Sequence, residues 1–590
     1  MTPGRLDTQN LLRRNMVFGR LSATELASVE RELVPMSVPG GRLLFACDEP
    51  PDALYVLKSG SLGVFSEPEA GGAPQLVSLV GSGETVGAFS MLTRQARPFD
   101  VRALRDSELL RLPRDGFDAL IEKHPQAILG AAQSALERLL EEGRQPPTVL
   151  PRTFAVLPFD RHVPVRELAE HLRRVLQPYG DCLVADAALA EGHDSSWFAE
   201  REDDVRFVLY VDDGTDPAWR ELCRRQADAL LLVVNAGRQE EAWPDRAALD
   251  AHASWERPRY LLLLHPDDTI LPGAARRWHS AFTRPLRQHH VRRTRQEHDL
   301  ARLARLLTRN STGLVFSGGG ARGFAGIGVV RALREAGIQI DAVGGTSIGA
   351  IIGAGVAMEW DDAELYEVYR RAFVDGRPLA DRTLPLVALS RGRRTVDLLR
   401  EVNGERDIED LPLSYFCVVS NLTDGHAVVR RSGKLWYWLR ASSAIPGVLP
   451  PVLHRGQVLV DGAVVNNLPT DVMRDAGLAE IIACDISADD ALGARIDECA
   501  LPSAWRVLVQ SFRHLRPGLL PILLRAGMVN TEVTSARRRE LADHLLTPPL
   551  GEVGLIEWKA YEQAVELGYR YTRRALEDGT WETGGLQSEP

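Results

Sequence analysis

The chain has 590 residues, of which 45% are hydrophobic and 25% charged, and its formal net charge is −10. This length exceeds what one hydrophobic core supports, so we expect about three or four domains. The modest acidic balance argues against a general nucleic-acid-binding protein. The cysteines form no CxxC pair, which argues against a zinc site or disulfide framework and fits a reducing compartment; they are Cys47, Cys182, Cys223, Cys417, Cys484 and Cys499.

The segment from Met1 to Asp7 lacks the apolar core of a signal peptide. We therefore expect a cytoplasmic protein, with peripheral contact to a membrane left open. The longest uncharged run, residues 342–358, approaches the length of a membrane span. Its five glycines, together with Thr346 and Ser347, instead favour a packed turn followed by a helix.

The sequence pattern of residues 1–145 predicts a small β-rich domain with flanking helices. Ser22 and Glu25 form a capping-box pattern at the start of an amphipathic helix. Short apolar runs separated by glycine turns follow. Their order, and the residues from Gly83 to Leu104, resemble a cyclic-nucleotide-binding domain. The resemblance implies a β-roll with flanking helices and a regulatory role.

In that family a glycine-rich turn holds the cyclic phosphate, an arginine pairs with it, and a glutamate binds the ribose. Gly87 and Arg97 match the phosphate-contacting positions, and a guanidinium suits a phosphate. However, the glutamate position is Ala88, and the hydroxyl residue expected after the arginine is Pro98, which also lacks a backbone N–H. Losing two contacts of roughly 1.5–3 kcal/mol each predicts weak or absent cyclic-nucleotide binding, or an altered ligand. Arg97 would then be an ordinary solvated arginine.

Residues 150–300 alternate apolar runs, such as Phe154–Leu157 and Phe207–Val211, with helical patterns. This rhythm is typical of a parallel sheet with helices on its faces, so we expect an α/β Rossmann-like module. Neither G-x-x-x-x-G-K-[ST] nor G-x-G-x-x-G occurs in it, so nucleotide binding has no support. Its role stays unassigned. We interpret it as a spacer or interaction module, with His289 and His290 on a polar surface helix.

Two glycine-rich turns stand close together in the last part of the chain, residues 310–590. One covers Ser317 to Gly323 and the other Gly345 to Gly349, and each joins an apolar run to a stretch compatible with a helix. The second centres Ser347 in G-x-S-x-G, the pattern of an exposed, strained nucleophile. The first offers backbone N–H groups to an anion. The pair indicates acyl transfer.

A serine nucleophile needs a base that accepts its proton. Asp461 ends the apolar strand 458–460 and is followed by Gly462, so its carboxylate can face the nucleophile turn. Its usual pKa is about 3.9, and partial burial would raise that value and make proton acceptance easier. The histidines after Ser347 lie in no comparable glycine turn; they are His426, His454, His514 and His544.

Three motifs follow in order, namely Gly318–Gly323, Gly345–Gly349 and Asp461–Ala463. Together they resemble patatin-like phospholipases, and Ala441–Pro446 is similar to the segment before the aspartate in that family. With the cyclic-nucleotide-binding-like domain in front, the whole chain resembles the neuropathy target esterase group, which hydrolyses phospholipid and lysophospholipid acyl esters. The resemblance implies a three-layer α/β/α catalytic domain over residues 310–590 with a helical C-terminal part.

The resemblance also implies the roles of the site residues. Ser347 would be the nucleophile and Asp461 the general base and acid of a Ser–Asp dyad, with no metal or other cofactor. Gly345 and Gly349 would frame the nucleophile turn. Arg322 is expected to fix its loop rather than meet a phosphate. The oxyanion hole would comprise Gly318, Gly319, Gly320, Ala321, Arg322 and Gly323.

The expected partner is a phospholipid or lysophospholipid substrate, and no nucleic acid. Two alternatives stay open: a hydrolase triad that recruits His514 or His544, and a catalytically silent ligand-sensing scaffold regulated through the N-terminal domain. The run Leu519–Leu524 could line an acyl pocket, touch a membrane or pack in the core.

An arginine-rich stretch precedes the third motif, with Arg391, Arg393 and Arg394 close together. These side chains could attract an anionic lipid surface. A solvated basic loop is the commoner explanation for such a stretch, and the sequence favours it.

Overall fold

The computed structural model describes residues 3–66, 74–141, 150–159, 162–193, 195–238, 257–280, 282, 286–384, 386–487, 503, 505 and 536–579. The chain divides into two units. One comprises Met1–Pro266 with Arg277–Ala304, and the other Asp267–Arg276 with Arg305–Pro590. The first unit holds both the first and the middle predicted domains, and their boundaries stay predictions. The linker segment at residues 142–149 lies outside the described residues.

The first part of the chain is a β-roll, which confirms the predicted fold. One sheet has the order β1–β8–β3–β6 and the other β2–β7–β4–β5, and neighbouring strands are antiparallel. Apolar side chains from both sheets share one core, with Tyr55 and Leu57 from one and Leu62 and Val64 from the other. The strands, numbered β1 to β8 in chain order, are Val34–Val38, Leu43–Phe45, Ala53–Ser59, Leu62–Ser66, Gln75–Val80, Thr85–Val86, Asp100–Ala103 and Ser107–Pro113.

Helices flank the roll and cover one of its sheets. Ser22 caps the second helix through the expected capping box with Glu25. Leu26 and Phe117 pack with Leu54 of β3 in a second core, because each helix turns one apolar stripe toward the sheet. The helices are Pro3–Arg14, Ala23–Glu30, Ala88–Thr93, Arg114–Lys123 and Gln126–Glu141.

The middle region is a parallel sheet with the strand order β10–β11–β9–β12–β13–β14, which confirms the predicted Rossmann-like module. Its strands are Thr153–Pro158, Cys182–Ala185, Phe207–Val211, Ala229–Asn235, Arg259–His265 and Arg287–Arg292, numbered β9 to β14. The helices along this region are Val165–Leu176, Ala187–Ala190, Ser195–Asp204, Pro217–Gln226, Ala274–His279 and Gln296–Leu307.

The expectation of a surface helix at His289 and His290 is wrong, because both lie buried on β14. The strand tolerates polar residues because they find partners. Arg292 Nε donates to Asp299 Oδ2 over 2.9 Å, and His289 Nε2 lies 2.6 Å from the carbonyl oxygen of Asp299. Burial lowers the pKa of His289 to about 4, so this ring is neutral near pH 7.

The second unit is built on a mixed sheet with the order β19–β20–β17–β16–β15–β21–β22, and β18 also pairs with β17. Pairings among β15, β16, β17, β21 and β22 are parallel, whereas β18, β19 and β20 are antiparallel to their neighbours. The strands are Thr312–Phe316, Ala342–Thr346, Ser414–Asn421, His426–Arg430, Val452–His454, Gln457–Asp461, Glu480–Cys484 and His544–Leu546, numbered β15 to β22.

Helices cover both faces of this sheet and confirm the three-layer prediction. Leu314 and Val315 of β15 enter different cores, because successive strand residues point to opposite faces. Val472 and Met473 of one helix join the core of Val315. The helices are Ala325–Glu335, Ile348–Ala357, Asp362–Arg370, Arg393–Asn403, Leu435–Ser442, Thr470–Asp475 and Tyr561–Glu577.

The C-terminal helix Tyr561–Glu577 packs against Ala325–Glu335 through two glycines. A Cβ at Gly328 would lie 2.0 Å from the carbonyl oxygen of Val565, and one at Gly568 would lie 2.1 Å from that of Ala325. The run Leu519–Leu524 lies outside the described residues. Within the described segments, a search for a helix long and apolar enough to cross a membrane finds none.

Candidate active site

Ser347 stands at the sharp junction between β16 and the helix Ile348–Ala357. Its backbone has φ 56° and ψ −125°, a conformation that a residue with a side chain rarely adopts and that costs about 1–3 kcal/mol. The neighbouring glycines permit the junction. A Cβ at Gly345 would lie 2.6 Å from the carbonyl carbon of Gly349, and one at Gly349 would lie 2.5 Å from the carbonyl oxygen of Ser317.

Asp461 ends β20 beside this junction. Ser347 Oγ donates a hydrogen bond of 2.6 Å to Asp461 Oδ2, and the other carboxylate oxygen accepts from the backbone N–H of Ala463 over 2.9 Å. Both side chains are buried, with 6% of Ser347 and 3% of Asp461 exposed. Gly462 lets the chain turn here, because a Cβ on it would lie 2.3 Å from the carbonyl oxygen of Val418.

Burial raises the pKa of Asp461 to about 6, and the hydrogen bonds from Ser347 and Ala463 partly oppose that rise. Among the described residues, Asp461 has no ion-pair partner. Its carboxylate is therefore a stronger base than a solvated aspartate, and it remains mostly ionised at neutral pH.

Ser442 holds the backbone of the nucleophile from the other side. Its hydroxyl accepts a hydrogen bond of 3.0 Å from the backbone N–H of Ser347 and donates one of 2.6 Å to the carbonyl oxygen of Val418. Val418 lies on β17, next to β16 in the sheet. Ser442 belongs to the segment Ala441–Pro446, whose similarity to the patatin-like family was noted from sequence, and this contact places that segment beside Ser347.

The glycine-rich loop after β15 uses part of its backbone internally. Gly318 N–H donates to Asn467 Oδ1 over 3.0 Å, and Ala321 N–H donates to the carbonyl oxygen of Leu555 over 2.8 Å. In the described part of the chain, the amides of Gly319 and Gly320 donate no hydrogen bond. These two are therefore the amides of this loop that an incoming oxyanion could use.

The remaining two loop residues have structural contacts. Arg322 is buried, and its Nε donates to the carbonyl oxygen of Val553 over 2.7 Å, in keeping with the expected loop-fixing role. Gly323 lies against Ile348, because a Cβ on it would lie 2.5 Å from two side-chain carbons of that residue.

An apolar cavity opens next to the nucleophile. Ser347 and Gly320 line it, and it has about 650 Å³ of empty space including the part of its mouth open to solvent. Its walls are almost entirely apolar; they include Ile348, Ile351, Phe373, Leu398, Leu399, Leu449 and Trp558.

The candidate histidines lie elsewhere. His544 Nε2 lies 2.8 Å from Glu480 Oε1, and His454 Nδ1 lies 3.0 Å from the hydroxyl of Tyr437. His426 is exposed at the start of β18, and His514 is outside the described residues. No described histidine hydrogen-bonds Ser347 or Asp461.

The site in the N-terminal domain is occupied by the protein's own groups. Arg97 is 1% exposed, so the expectation of a solvated arginine is wrong. Its Nη2 donates to Asp52 Oδ1 over 3.1 Å and to the carbonyl oxygen of Ala53 over 2.7 Å, and Nη1 donates to that of Gly87 over 3.3 Å. The guanidinium also stacks on the ring of Phe45, 4.2 Å from its centroid.

Gly87 has φ 94° and lies directly against that guanidinium. A Cβ on Gly87 would stand 2.3 Å from Arg97 Nη1. The two predicted phosphate-contacting residues are therefore adjacent, and each is engaged with the other.

Sequence reasoning missed the residues that hold the site from a distance. One of them is Asn467, which accepts from Gly318; the pair Asn466–Asn467 shortly after the strand-end Asp461 was the available signal. Val553 and Leu555 act through backbone carbonyl groups, for which no residue type gives a signal.

Three protein-family descriptions match this chain. Residues 35–124 match the cyclic nucleotide-binding domain, residues 151–305 the Neuropathy Target Esterase family P-loop like domain, and residues 314–474 the patatin-like phospholipase family. The middle match was not foreseen, since that region lacks the G-x-x-x-x-G-K-[ST] pattern.

The chain is also similar to curated proteins over most of its length. Patatin-like phospholipase domain-containing protein 7 of Mus musculus is 30% identical, over 93% of this chain and 46% of that protein. Patatin-like phospholipase domain-containing protein 6 of Homo sapiens is 28% identical, over 93% and 45%. Lysophospholipase nte1 of Aspergillus niger is 28% identical, over 94% and 42%.

The chain thus spans a little less than half the length of the curated relatives it matches. The resemblance drawn from the ordered motifs is confirmed over the regions that those motifs occupy. The chain carries a cyclic-nucleotide-binding domain, a neuropathy target esterase-type P-loop like domain and a patatin-like phospholipase domain, and it is a relative of the neuropathy target esterase group.

Proposed function

We propose that this protein is a serine esterase that hydrolyses acyl esters of phospholipids or lysophospholipids through a Ser347–Asp461 dyad. The observation that carries the proposal is the 2.6 Å hydrogen bond from Ser347 Oγ to Asp461 Oδ2, made in a buried setting beside an apolar cavity. The printed name of the Aspergillus niger relative, a lysophospholipase, supports the same substrate class.

In the first step Ser347 Oγ attacks the ester carbonyl carbon while its proton moves to Asp461 Oδ2. A base with a pKa of about 6 accepts this proton more easily than a solvated aspartate does. The carbonyl oxygen becomes an oxyanion, and the amides of Gly319 and Gly320 donate hydrogen bonds to it. Donors fixed before the reaction stabilise developing charge effectively, since they need not reorganise.

The tetrahedral intermediate then collapses and releases the alcohol part of the lipid, which takes the proton back from Asp461. The acyl group stays on Ser347 Oγ as an ester. Water attacks this acyl-enzyme, gives its proton to Asp461, and the second collapse returns that proton to Ser347 Oγ and releases the fatty acid. The acyl chain lies in the apolar cavity throughout, because its walls offer it few polar groups.

We infer that the N-terminal domain does not bind cyclic nucleotides in the usual way. Arg97, the residue that would meet the phosphate, is already paired with Asp52 and with two backbone carbonyl groups. A phosphate would have to displace these partners without help from a glutamate at position 88. Titration calorimetry of the full chain with cAMP and cGMP tests this: we expect no measurable heat, and tight binding of either would contradict the inference.

We further propose three folding domains, at residues 1–145, 150–300 and 310–590, and a cytoplasmic location with peripheral contact to a membrane. The described Cys182 and Cys223 form no disulfide, which supports a reducing compartment. A role for the middle domain is not part of the proposal.

Labelling with a fluorophosphonate probe tests the esterase directly. The wild-type protein should be labelled at Ser347 and should release fatty acid from a panel of phospholipids and lysophospholipids, whereas Ser347→Ala should lose both. Ser443→Ala is the matched control, because this second serine lines the same cavity but donates to the carbonyl oxygen of Leu439. Its labelling should persist. A wild-type protein that is neither labelled nor active would favour the silent scaffold.

A further inference from the structure

Four large apolar side chains project into solvent from one short loop of the second unit. They are Leu384, Leu386, Val387 and Leu389, exposed by 77%, 89%, 64% and 45% respectively, and we call them the apolar loop. Single exposed leucines are ordinary on protein surfaces. Four within six positions form a patch of the kind that marks an interaction surface.

Hydrogen bonds hold the base of this loop. Arg382 and Ser390 pair as an antiparallel bridge, and Ser390 Oγ donates to Asp381 Oδ1 over 2.5 Å. The N–H of Leu389 donates to the carbonyl oxygen of Gly447 over 2.9 Å. The fold therefore presents these apolar side chains in a fixed place.

The apolar loop leaves and re-enters the wall of the cavity. Pro378 and Leu379 line the cavity just before it, and Thr395 and Leu398 line it just after. Across the base, the N–H of Ser390 donates to the carbonyl oxygen of Val448 over 3.0 Å, and the next residue, Leu449, is another lining residue. Whatever the loop touches is therefore next to the walls that surround Ser347.

Positive charge surrounds the same loop. Arg382, Arg391, Arg393 and Arg394 are exposed. Residues 381–397 hold these four arginines and two aspartates, so four minus two gives a net charge of +2. Apolar side chains among arginines fit a surface that is apolar inside and anionic outside.

We propose that the apolar loop inserts into the surface of a bilayer containing anionic phospholipid, with the surrounding arginines on the headgroups. An acyl chain can then pass from the bilayer into the cavity. The inference rests on the proposed function for its purpose, but binding itself requires no catalysis. A second copy of this chain or another protein are the competing occupants of the patch.

Vesicle flotation tests the proposal with the full-length Ser347→Ala variant, which binds without turnover. Vesicles of phosphatidylcholine are used with and without phosphatidylserine. We expect binding that is tighter to the anionic vesicles, and Leu386→Ser/Val387→Ser should weaken it roughly tenfold or more, because two large apolar side chains no longer leave water. Arg391→Gln should weaken binding to anionic vesicles about fivefold and leave neutral vesicles unaffected.

Leu453→Ser is the matched control, since Leu453 is 73% exposed on β19, and it should bind as the parent does. Unchanged binding of the loop variant, or an equal loss in the control, would overturn the proposal. The proposal would also be overturned if the parent protein were a dimer and the loop variant a monomer, because the apolar loop would then join two copies of the chain.

The two proposals fail separately. In the active background, the loop variant should hydrolyse a soluble short-chain ester at the wild-type rate and vesicle lipid more slowly. Vesicle binding that depends on the apolar loop, without any ester hydrolysis, would contradict only the proposed function. Lipid hydrolysis with vesicle binding that does not depend on the apolar loop would contradict only the membrane-insertion proposal.

Discussion

Two buried charged side chains in this protein, Arg97 and Asp461, differ in whether a counter-charge lies beside them. In the N-terminal domain, Arg97 is 1% exposed and its charge meets a carboxylate, Asp52, at 3.1 Å. In the catalytic domain, Asp461 is 3% exposed and its partners are a hydroxyl and a backbone amide. One charge is compensated and the other is not.

This difference is the one expected between a structural site and a reactive site. A paired charge gains nothing from exchanging its partner for a ligand of similar charge, so Arg97 is poorly placed to sense a phosphate. An unpaired carboxylate in an apolar setting holds a proton more readily, and the pKa of Asp461 rises to about 6. If the proposed function holds, the buried charge without a counter-charge is the reactive one, and four measurements test that distinction.

The largest effect is expected for Asp461→Asn on ester hydrolysis. An amide cannot accept the Ser347 proton, so kcat/KM should fall by about 10³-fold or more. Initial rates with a lysophospholipid and a soluble ester measure the loss, and circular dichroism checks the fold. Because the two residues act as a unit, Ser347→Ala/Asp461→Asn should be no slower than either single variant. Substantial turnover by Asp461→Asn would remove Asp461 from the mechanism.

The same substitution should stabilise the catalytic domain. The folded pKa of Asp461 lies above its unfolded value, so its favourable contribution is complete below about pH 4 and is lost as the pH rises through about 6. Above that range its ionised form costs on the order of 2–3 kcal/mol. Asp461→Asn should therefore raise the denaturation midpoint at pH 8, with little change at pH 4.

Asp341→Asn is the control for that experiment. Asp341 is also a buried carboxylate, but Arg305 Nη2 donates to it over 2.7 Å. Removing its charge should lower the denaturation midpoint at pH 8. If both variants gain stability, compensation by a cation does not distinguish the two carboxylates.

Asp52→Asn should destabilise the β-roll by about 1–3 kcal/mol, because the buried Arg97 guanidinium loses its counter-charge. Arg111→Gln removes the other cation on Asp52, which pairs at 2.9 Å but is partly exposed, and should cost less than about 1 kcal/mol. Hydrogen exchange of the amides in β3 measures both. Equal protection in the two variants would mean that Arg97 does not depend on Asp52.

The smallest effect is the pH dependence of hydrolysis. The base must be ionised, so kcat/KM should be constant above about pH 7 and fall about tenfold per pH unit below an apparent pKa of about 6. Replacing His514 and His544 together should leave the profile unchanged. Loss of the profile with those histidines would instead support the histidine triad.

The fold and the pairing of Ser347 with Asp461 were predictable from the sequence because their signals are local. Ser347 sits between glycines that only a sharp strand-to-helix junction needs, and Asp461 ends an apolar strand. Strand periodicity likewise gave the layers of each domain. These features depend on residues within a few positions of one another.

The hydrogen-bond partners of the site residues could not be predicted from the sequence, because they come from distant parts of the chain. Asp52 lies 45 positions before Arg97, so a solvated arginine was the natural expectation. The acceptors of Gly318 and Ala321 lie on Asn467 and Leu555, and they reduce the predicted oxyanion hole to two available amides. The polar residues around His289 indicated a surface helix, but they form a buried strand. Their hydrogen-bond partner, Asp299, is recognisable only in the folded structure.

The contacts that Val553 and Leu555 make with the glycine-rich loop determine the order in which parts of the site can form during synthesis. Synthesis runs from the N-terminus, so Ser347 and Asp461 leave the ribosome well before the two carbonyl groups that hold Arg322 and Ala321. Until residue 555 has been added, the loop lacks the acceptors that fix it. A nascent chain therefore contains Ser347 and Asp461 before its glycine-rich loop can take its final form, and on the proposed function we expect esterase activity only once the C-terminal segment has docked.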